Sequence, residues 1–233
     1  MLIAGNIARI EEGIQRSCAV SGRKREEITL MAVSKFYPRE AVLEAWEAGI
    51  RCFGENRVQE GTAKFEGFRE AHPGLEVHLI GSLQRNKAKA AALFFDCVQS
   101  VDRESLIVEL EKHAAARGRP LPVLLELHTG EESKSGFKGL DELFRAAELT
   151  LGCPSLRAAG LMTMAPNTRE EGPVRASFRQ LAQARRELEQ RFPRPAGGGW
   201  DCLSMGMSGD FEIAVEEGST LLRIGSAIFG ERV

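Results

Sequence analysis

Tyrosine is almost missing from this chain. Tyr37 is the only one in 233 residues, so chemistry that needs a phenol must use it or do without. Cysteine is sparse and dispersed: Cys18, Cys52, Cys97, Cys153 and Cys202 form no CxxC pair and have no nearby histidine pair. That excludes the usual zinc spacings and a disulfide framework, and it fits reduced thiols. A charge imbalance is missing too. The net charge of −2 leaves no basic field to draw nucleic acid or an anionic membrane. No stretch approaches the roughly 18 apolar residues of a membrane helix. The opening MLIAGNIARIEEGIQRS places charges where a secretory signal needs an unbroken apolar core. These absences predict a soluble cytoplasmic protein. A linker is also lacking. PRPAGGG (193–199) is the one Pro/Gly-rich stretch and reads as a surface loop, so residues 1–233 read as one domain with an N-terminal helix over 1–22.

What is present is alternation. Leu2, Ile3, Ile7, Ile10 and Ile14 recur at helical spacing. After that helix, short β-branched and aliphatic runs alternate with helical patterns. Strands are expected at 28–34, 52–56, 76–81, 97–101, 122–129, 156–164, 201–207 and 220–225. Between them lie helices from Pro38 to Ala48, from the 52–56 turn to about Glu70, and over 86–94, 103–117, 140–150 and 211–218, with a long one after Thr168. Asp102 reads as the N-cap of 103–117, and Thr168 with Glu171 reads as a capping box. Strict β/α alternation implies a parallel sheet, and eight units in this length imply a closed (β/α)8 TIM barrel. The opening helix reads as a lid for the barrel bottom, or alternatively as a dimer contact.

In such a barrel the active face lies at the C-terminal ends of the strands. Several residues ill-suited to packing fall in that phase: Lys35, Glu55-Asn56, His78 with Gly81, His128-Thr129, Thr163-Met164, Ser204 to Ser208, and Arg223 to Ser226. For His78 a hydrogen-bonded histidine inside the barrel is the favoured reading. Lysine is usually exposed, yet Lys35 closes a buried-looking strand beside Ser34 and before Tyr37-Pro38, where an amine could meet a carbonyl compound. SMGMSGD after strand seven and RIGSAIFG after strand eight place small residues and hydroxyls ahead of helical turns. Those two loops are the usual phosphate site of the fold. A strand-end amine facing a phosphate cradle fits pyridoxal 5′-phosphate (PLP): the amine forms a Schiff base with the aldehyde and the phosphate anchors it.

The ordered set MAVSK, FGENRVQEG, HLIGSLQRNK, ESKSGF, GLMTMAP, SMGMSGD and LLRIGSAIFGER resembles the pyridoxal phosphate homeostasis proteins, single-domain relatives of the alanine racemase barrel. The likeness runs from about residue 28 to the end. It implies that Lys35 carries the PLP Schiff base and that Ser208, Gly225 and Ser226 hold the phosphate. It implies further that Arg223 faces the pyridine nitrogen and that Asn56 and Met164 line the pocket, with Ser204 a weaker candidate for the phosphate shell. Where the family usually ends strand five with Gln-x-Asn, this chain has Glu126-Leu127-His128, so His128 is expected as a packing or pocket-lining substitute.

Two features set a carrier against an enzyme. Arginine is a permanent donor, so Arg223 at the pyridine nitrogen would keep that atom unprotonated and weaken the ring as an electron sink. The racemase's second acid/base is a tyrosine from an additional β domain, for which the expected barrel leaves no residues in this sequence, and racemisation needs a base on each face of Cα. The expected function is storage, buffering or delivery of PLP to apoenzymes, by a monomer or weak dimer, with no catalytic residues and no metal. A weak amino-acid racemase is the alternative. A Schiff-base aldolase using the cradle for a sugar phosphate is a more distant one.

Overall fold

The computed structural model describes residues 2–130, 135–193 and 199–230. Parts of the ESKSGF motif and of the 193–199 loop lie outside those residues. Eight strands close into one parallel barrel in sequence order: β1 (Thr29–Val33), β2 (Cys52–Glu55), β3 (Glu76–Leu79), β4 (Cys97–Val101), β5 (Leu121–Glu126), β6 (Leu156–Met162), β7 (Cys202–Ser204) and β8 (Leu221–Ile224). The seam pairs first with last strand, Met31 opposite Arg223 and Ala32 opposite Ile224. The helices are α1 (Leu2–Ser21), α2 (Arg39–Glu47), α3 (Val58–Phe65), α4 (Phe68–Ala71), α5 (Ala88–Phe94), α6 (Glu104–Ala114), α7 (Leu140–Leu151), α8 (Glu171–Arg191), α9 (Phe211–Glu216) and α10 (Ser226–Phe229). Side chains alternate across each strand. The outward set, with Phe53, Val77 and Leu125, meets helix residues such as Phe65, Ile107 and Leu143 in one large core. The inward set makes smaller apolar clusters around Met31 and Leu124.

The opening helix does not lid the barrel bottom. α1 packs against α9, α10 and α2 along the outside of the β8–β1 seam. Near its start Asn6 Nδ2 donates to the Ile228 carbonyl in α10, at 2.8 Å. Past its end Arg23 donates to the carbonyls of Val215 and Ser219, below β8. Gly13 lets it approach so closely that a Cβ there would lie 2.8 Å from the Phe211 ring. The physical reason is coverage. α10 is a single turn, too short to shield the last strand, and the apolar stripe of Ile3, Ile7, Ile10 and Ile14 fills that gap.

Four local expectations also change. The helix expected up to Glu70 breaks at Gly67, whose φ of 67° is left-handed, and restarts as α4. α6 begins at Glu104 with Arg103 as its N-cap, and Asp102 instead pairs with the Arg103 guanidinium. α8 has no capping box; Thr168 Oγ1 accepts from the Glu170 N–H, and Glu171 pairs with Arg175. Strand five stops at Glu126, two residues before His128.

Candidate functional site

The C-terminal mouth of the barrel holds a pocket of about 410 Å³ whose wall includes Lys35, Asn56, Met164, Ser208, Arg223, Gly225 and Ser226. Seven of the eight expected site residues thus share one cavity. The exception is Ser204, which is fully buried and stands behind Arg223, so its expected place in the phosphate shell gives way to a supporting one.

Lys35 lies two residues past the end of β1, in a turn built on both sides of it. The Ser34 N–H donates to the Gly54 carbonyl, and the Tyr37 N–H closes back on the Ser34 carbonyl at 3.0 Å. Phe36 adopts φ 69°, the one left-handed non-glycine among the described residues. That conformation is uncommon for an aromatic side chain and needs outside support. Support comes from α3. Glu60 Oε1 accepts the Phe36 N–H at 2.5 Å, while Lys64 donates to the Ser34 carbonyl at 2.6 Å and to Glu55 at 2.7 Å. Glu55 is fully buried, and its carboxyl is raised by that burial against the opposing pull of Lys64 and Ser34.

Across the mouth, Ser208 and Ser226 place their hydroxyl oxygens 3.3 Å apart, and the Ala227 N–H donates to Ser208 Oγ at 3.2 Å. Gly225 opens α10 and contributes no side chain between them. At the floor is Arg223, 5% exposed. Its guanidinium donates to Ser204 Oγ and to the Thr163 carbonyl, both at 2.7 Å. Burial lowers its pKa to about 10, still well above neutral, so the group remains a cation. The donors match a phosphorylated aldehyde in kind: small hydroxyls at one end, a permanent cation at the floor and a primary amine on the wall.

Glu126 also lines this pocket, whereas the pocket-lining role expected from the sequence falls on His128. It is 2% exposed, accepts from Ser135 Oγ at 2.9 Å, and burial raises its carboxyl. The signal was available: Leu124 faces the barrel interior, and period two puts Glu126 on the same side. His128 is off the pocket wall. Tyr37 reaches the pocket edge, but its hydroxyl donates to the Gly230 carbonyl at 2.7 Å and its ring stacks on Phe229.

His78 is not on this rim. It lies at the opposite end, in a cleft of about 360 Å³ with Glu76, Cys97, Arg157 and Cys202, because β3 runs to Leu79 and places His78 inside the lower barrel. It is a buried, hydrogen-bonded histidine with Gln99 Nε2 2.8 Å from its Nδ1, as favoured from the sequence.

The family model described as the alanine racemase N-terminal domain matches residues 6–233. The pyridoxal phosphate homeostasis protein of Vibrio cholerae is 45% identical over 99% of this chain and 96% of its own. That of Escherichia coli is 42% identical over 99% and 97%. The solved structure of PipY from Synechococcus elongatus with PLP bound superposes with a TM-score of 0.83 at 34% identity, covering 98% of this chain and all of that one.

Proposed function

We propose, for a chain that belongs to the pyridoxal phosphate homeostasis proteins within the alanine racemase N-terminal domain family, that it binds PLP covalently through Lys35 and stores, buffers or hands on the cofactor rather than turning over a substrate. The observation that carries this reading is the convergence of Lys35, the Ser208–Ser226 pair and Arg223 on one pocket. Names of relatives support it, and so does the PLP described for PipY.

When bound, the cofactor supplies an aldehyde and an electron-withdrawing ring. The protein's residues do the rest. The Lys35 amine is held at the mouth by the α3 clamp on its neighbours. Ser208, Ser226 and the backbone beside Gly225 would hold the phosphate, and Asn56 and Met164 would line the rest of the site. Arg223 would donate to the ring nitrogen and, as a cation with no acceptor, would favour that nitrogen unprotonated. That arrangement favours retention over deep carbanion chemistry. The proposed setting is the cytoplasm, with PLP-dependent apoenzymes as recipients.

One observation favours a second reading, a weak amino-acid racemase: Glu126 brings a second proton-exchanging group to the pocket that Lys35 lines. An assay for D-amino acids with the PLP-loaded protein separates the two. Turnover abolished by Glu126→Gln establishes the racemase, and absence of turnover leaves the carrier.

The test of the main reading is an absorbance spectrum of the purified protein with added PLP, before and after borohydride, followed by peptide mass mapping. The expected result is a visible band lost on reduction and a pyridoxyl mass on the peptide containing Lys35. A protein that stays colourless overturns the reading, as does a label that persists at the mouth in Lys35→Ala.

A further inference from the structure

A line of polar side chains runs through the barrel interior, where close-packed branched aliphatics are usual. Arg223 Nη1 lies 2.7 Å from Ser204 Oγ, Ser204 Oγ 2.6 Å from Gln99 Oε1, Gln99 Nε2 2.8 Å from His78 Nδ1, and His78 Nε2 3.4 Å from Glu76 Oε2. Arg223, Ser204, Gln99 and His78 are all buried. The line starts at the floor of the upper pocket and ends in the lower cleft.

Its direction follows from one fact: a guanidinium has donors and no acceptor. Ser204 Oγ therefore accepts from Arg223, and the Ser204 hydroxyl in turn donates to Gln99 Oε1. Gln99 accepts with its carbonyl, so its NH2 group faces His78. An NH2 group only donates, so His78 Nδ1 is the acceptor and Nε2 carries the ring hydrogen, aimed at Glu76. From the arginine end, each link then runs donor to acceptor in the same sense. The same polarity turns the Nε2 hydrogen toward the Glu76 carboxylate, which accepts it, so no lone pair of that nitrogen faces the Cys52–Glu76–His78 group.

We infer that Gln99 is a positioning residue for the upper pocket. By fixing the Ser204 hydroxyl it holds the Arg223 guanidinium in a single orientation at the pocket floor, and it does so from inside the barrel without touching the ligand. Thr163 holds the other guanidinium nitrogen through its carbonyl, so losing the Gln99 side leaves the cation present but free to turn. The inference rests on the PLP reading for its effect on ligand, whereas the polarity of the line does not.

The experiment uses the full-length protein and Ser204→Ala, which removes one oxygen and adds no volume, with Gln99→Leu as a second variant. Nitrogen NMR of ligand-free protein is expected to show His78 protonated at Nε2, and Ser204→Ala to give a mixed tautomer, because Gln99 is then free to flip. PLP titration followed by the visible band is expected to show a shifted maximum and about three- to tenfold weaker binding in both variants, an effect on the ligand equivalent to about one hydrogen bond. The double variant should be no worse than the weaker single one. A His78 protonated at Nδ1 in the parent overturns the assigned polarity. Folded variants with the parent's band and affinity overturn the positioning role. A parent that takes up no PLP overturns the cofactor reading instead, and the NMR readout still judges the line.

Discussion

The ammonium of Lys64 lies 2.7 Å from the carboxylate of Glu55, and both side chains are buried, 8% and 0% exposed. Glu55 closes β2 and Lys64 rises from α3, so the pair ties the second strand to the helix behind it. Because Lys64 also holds the Ser34 carbonyl, the turn carrying Lys35 is anchored to this ion pair rather than to the pocket. Breaking one partner of a buried pair strands a charge in the interior, which costs roughly 3–5 kcal/mol, whereas replacing both is often tolerated.

Lys64→Met is therefore expected to lower unfolding free energy by about that amount in denaturant titrations, and Lys64→Met/Glu55→Leu to recover much of it. The double variant still lacks the clamp on Ser34, so borohydride labelling of Lys35 should remain slower than in the parent. Equal stability of the two variants would show that the pair acts independently of its burial.

Ser208→Ala and Ser226→Ala should each weaken PLP retention. A hydrogen bond to a charged group is worth roughly 1.5–3 kcal/mol, so about tenfold or more in Kd is expected. Equilibrium dialysis with PLP measures this. Pyridoxal without its phosphate, bound through the amine alone, should be indifferent to either change.

Glu126 yields a pH dependence. Burial raises its carboxyl above the unfolded value. Between those two values the folded chain holds a proton that the unfolded chain releases, so stability falls as pH rises through the window and stays lower above it. Glu126→Gln removes that loss. The variant should be more stable than the parent near neutral pH, and the difference should vanish below the usual carboxylate range. Thermal melts from roughly pH 2.5 to roughly pH 8 check both the sign and the window.

Gly81→Ala tests the pocket wall by shape alone. A Cβ there would sit 2.3 Å from the Asn56 carbonyl oxygen, backbone against backbone. Such overpacking costs typically 1–3 kcal/mol, and here relief requires moving Asn56 out of the wall. Lower stability together with weaker PLP binding is expected in denaturant and dialysis experiments.

The eight strands, the amine at the end of the first and the two serine-bearing loops were all legible in the sequence, because strand-end phase is a local pattern and each loop follows its strand directly. What escaped depends on the third dimension. Ser204 shares the inward phase of β7, yet only the Met31–Arg223 register of the closing seam brings Arg223 between it and the mouth. His78 matched the rim in period but not in height, since one strand carries inward residues at both ends of a barrel. Lys64 offered only an ordinary i,i+4 pairing with Glu60, and nothing local shows it reaching Ser34 thirty residues away. α1 had the right stripe, but which surface needs covering follows from the shortness of α10.

The seam between β1 and β8 also bears on how the molecule comes into being. Of the eight strands, the one leading into Lys35 is made first and the one it must pair with is made last, so one edge of β1 stays open until the other seven have been made. Pairing across such a sequence separation is slow, and its entropy is lost before any contact rewards it. The Lys35 strand and the strand bearing Arg223 therefore become neighbours only when β8 pairs with β1. A nascent chain has no partial pocket with which to capture an aldehyde before the barrel closes.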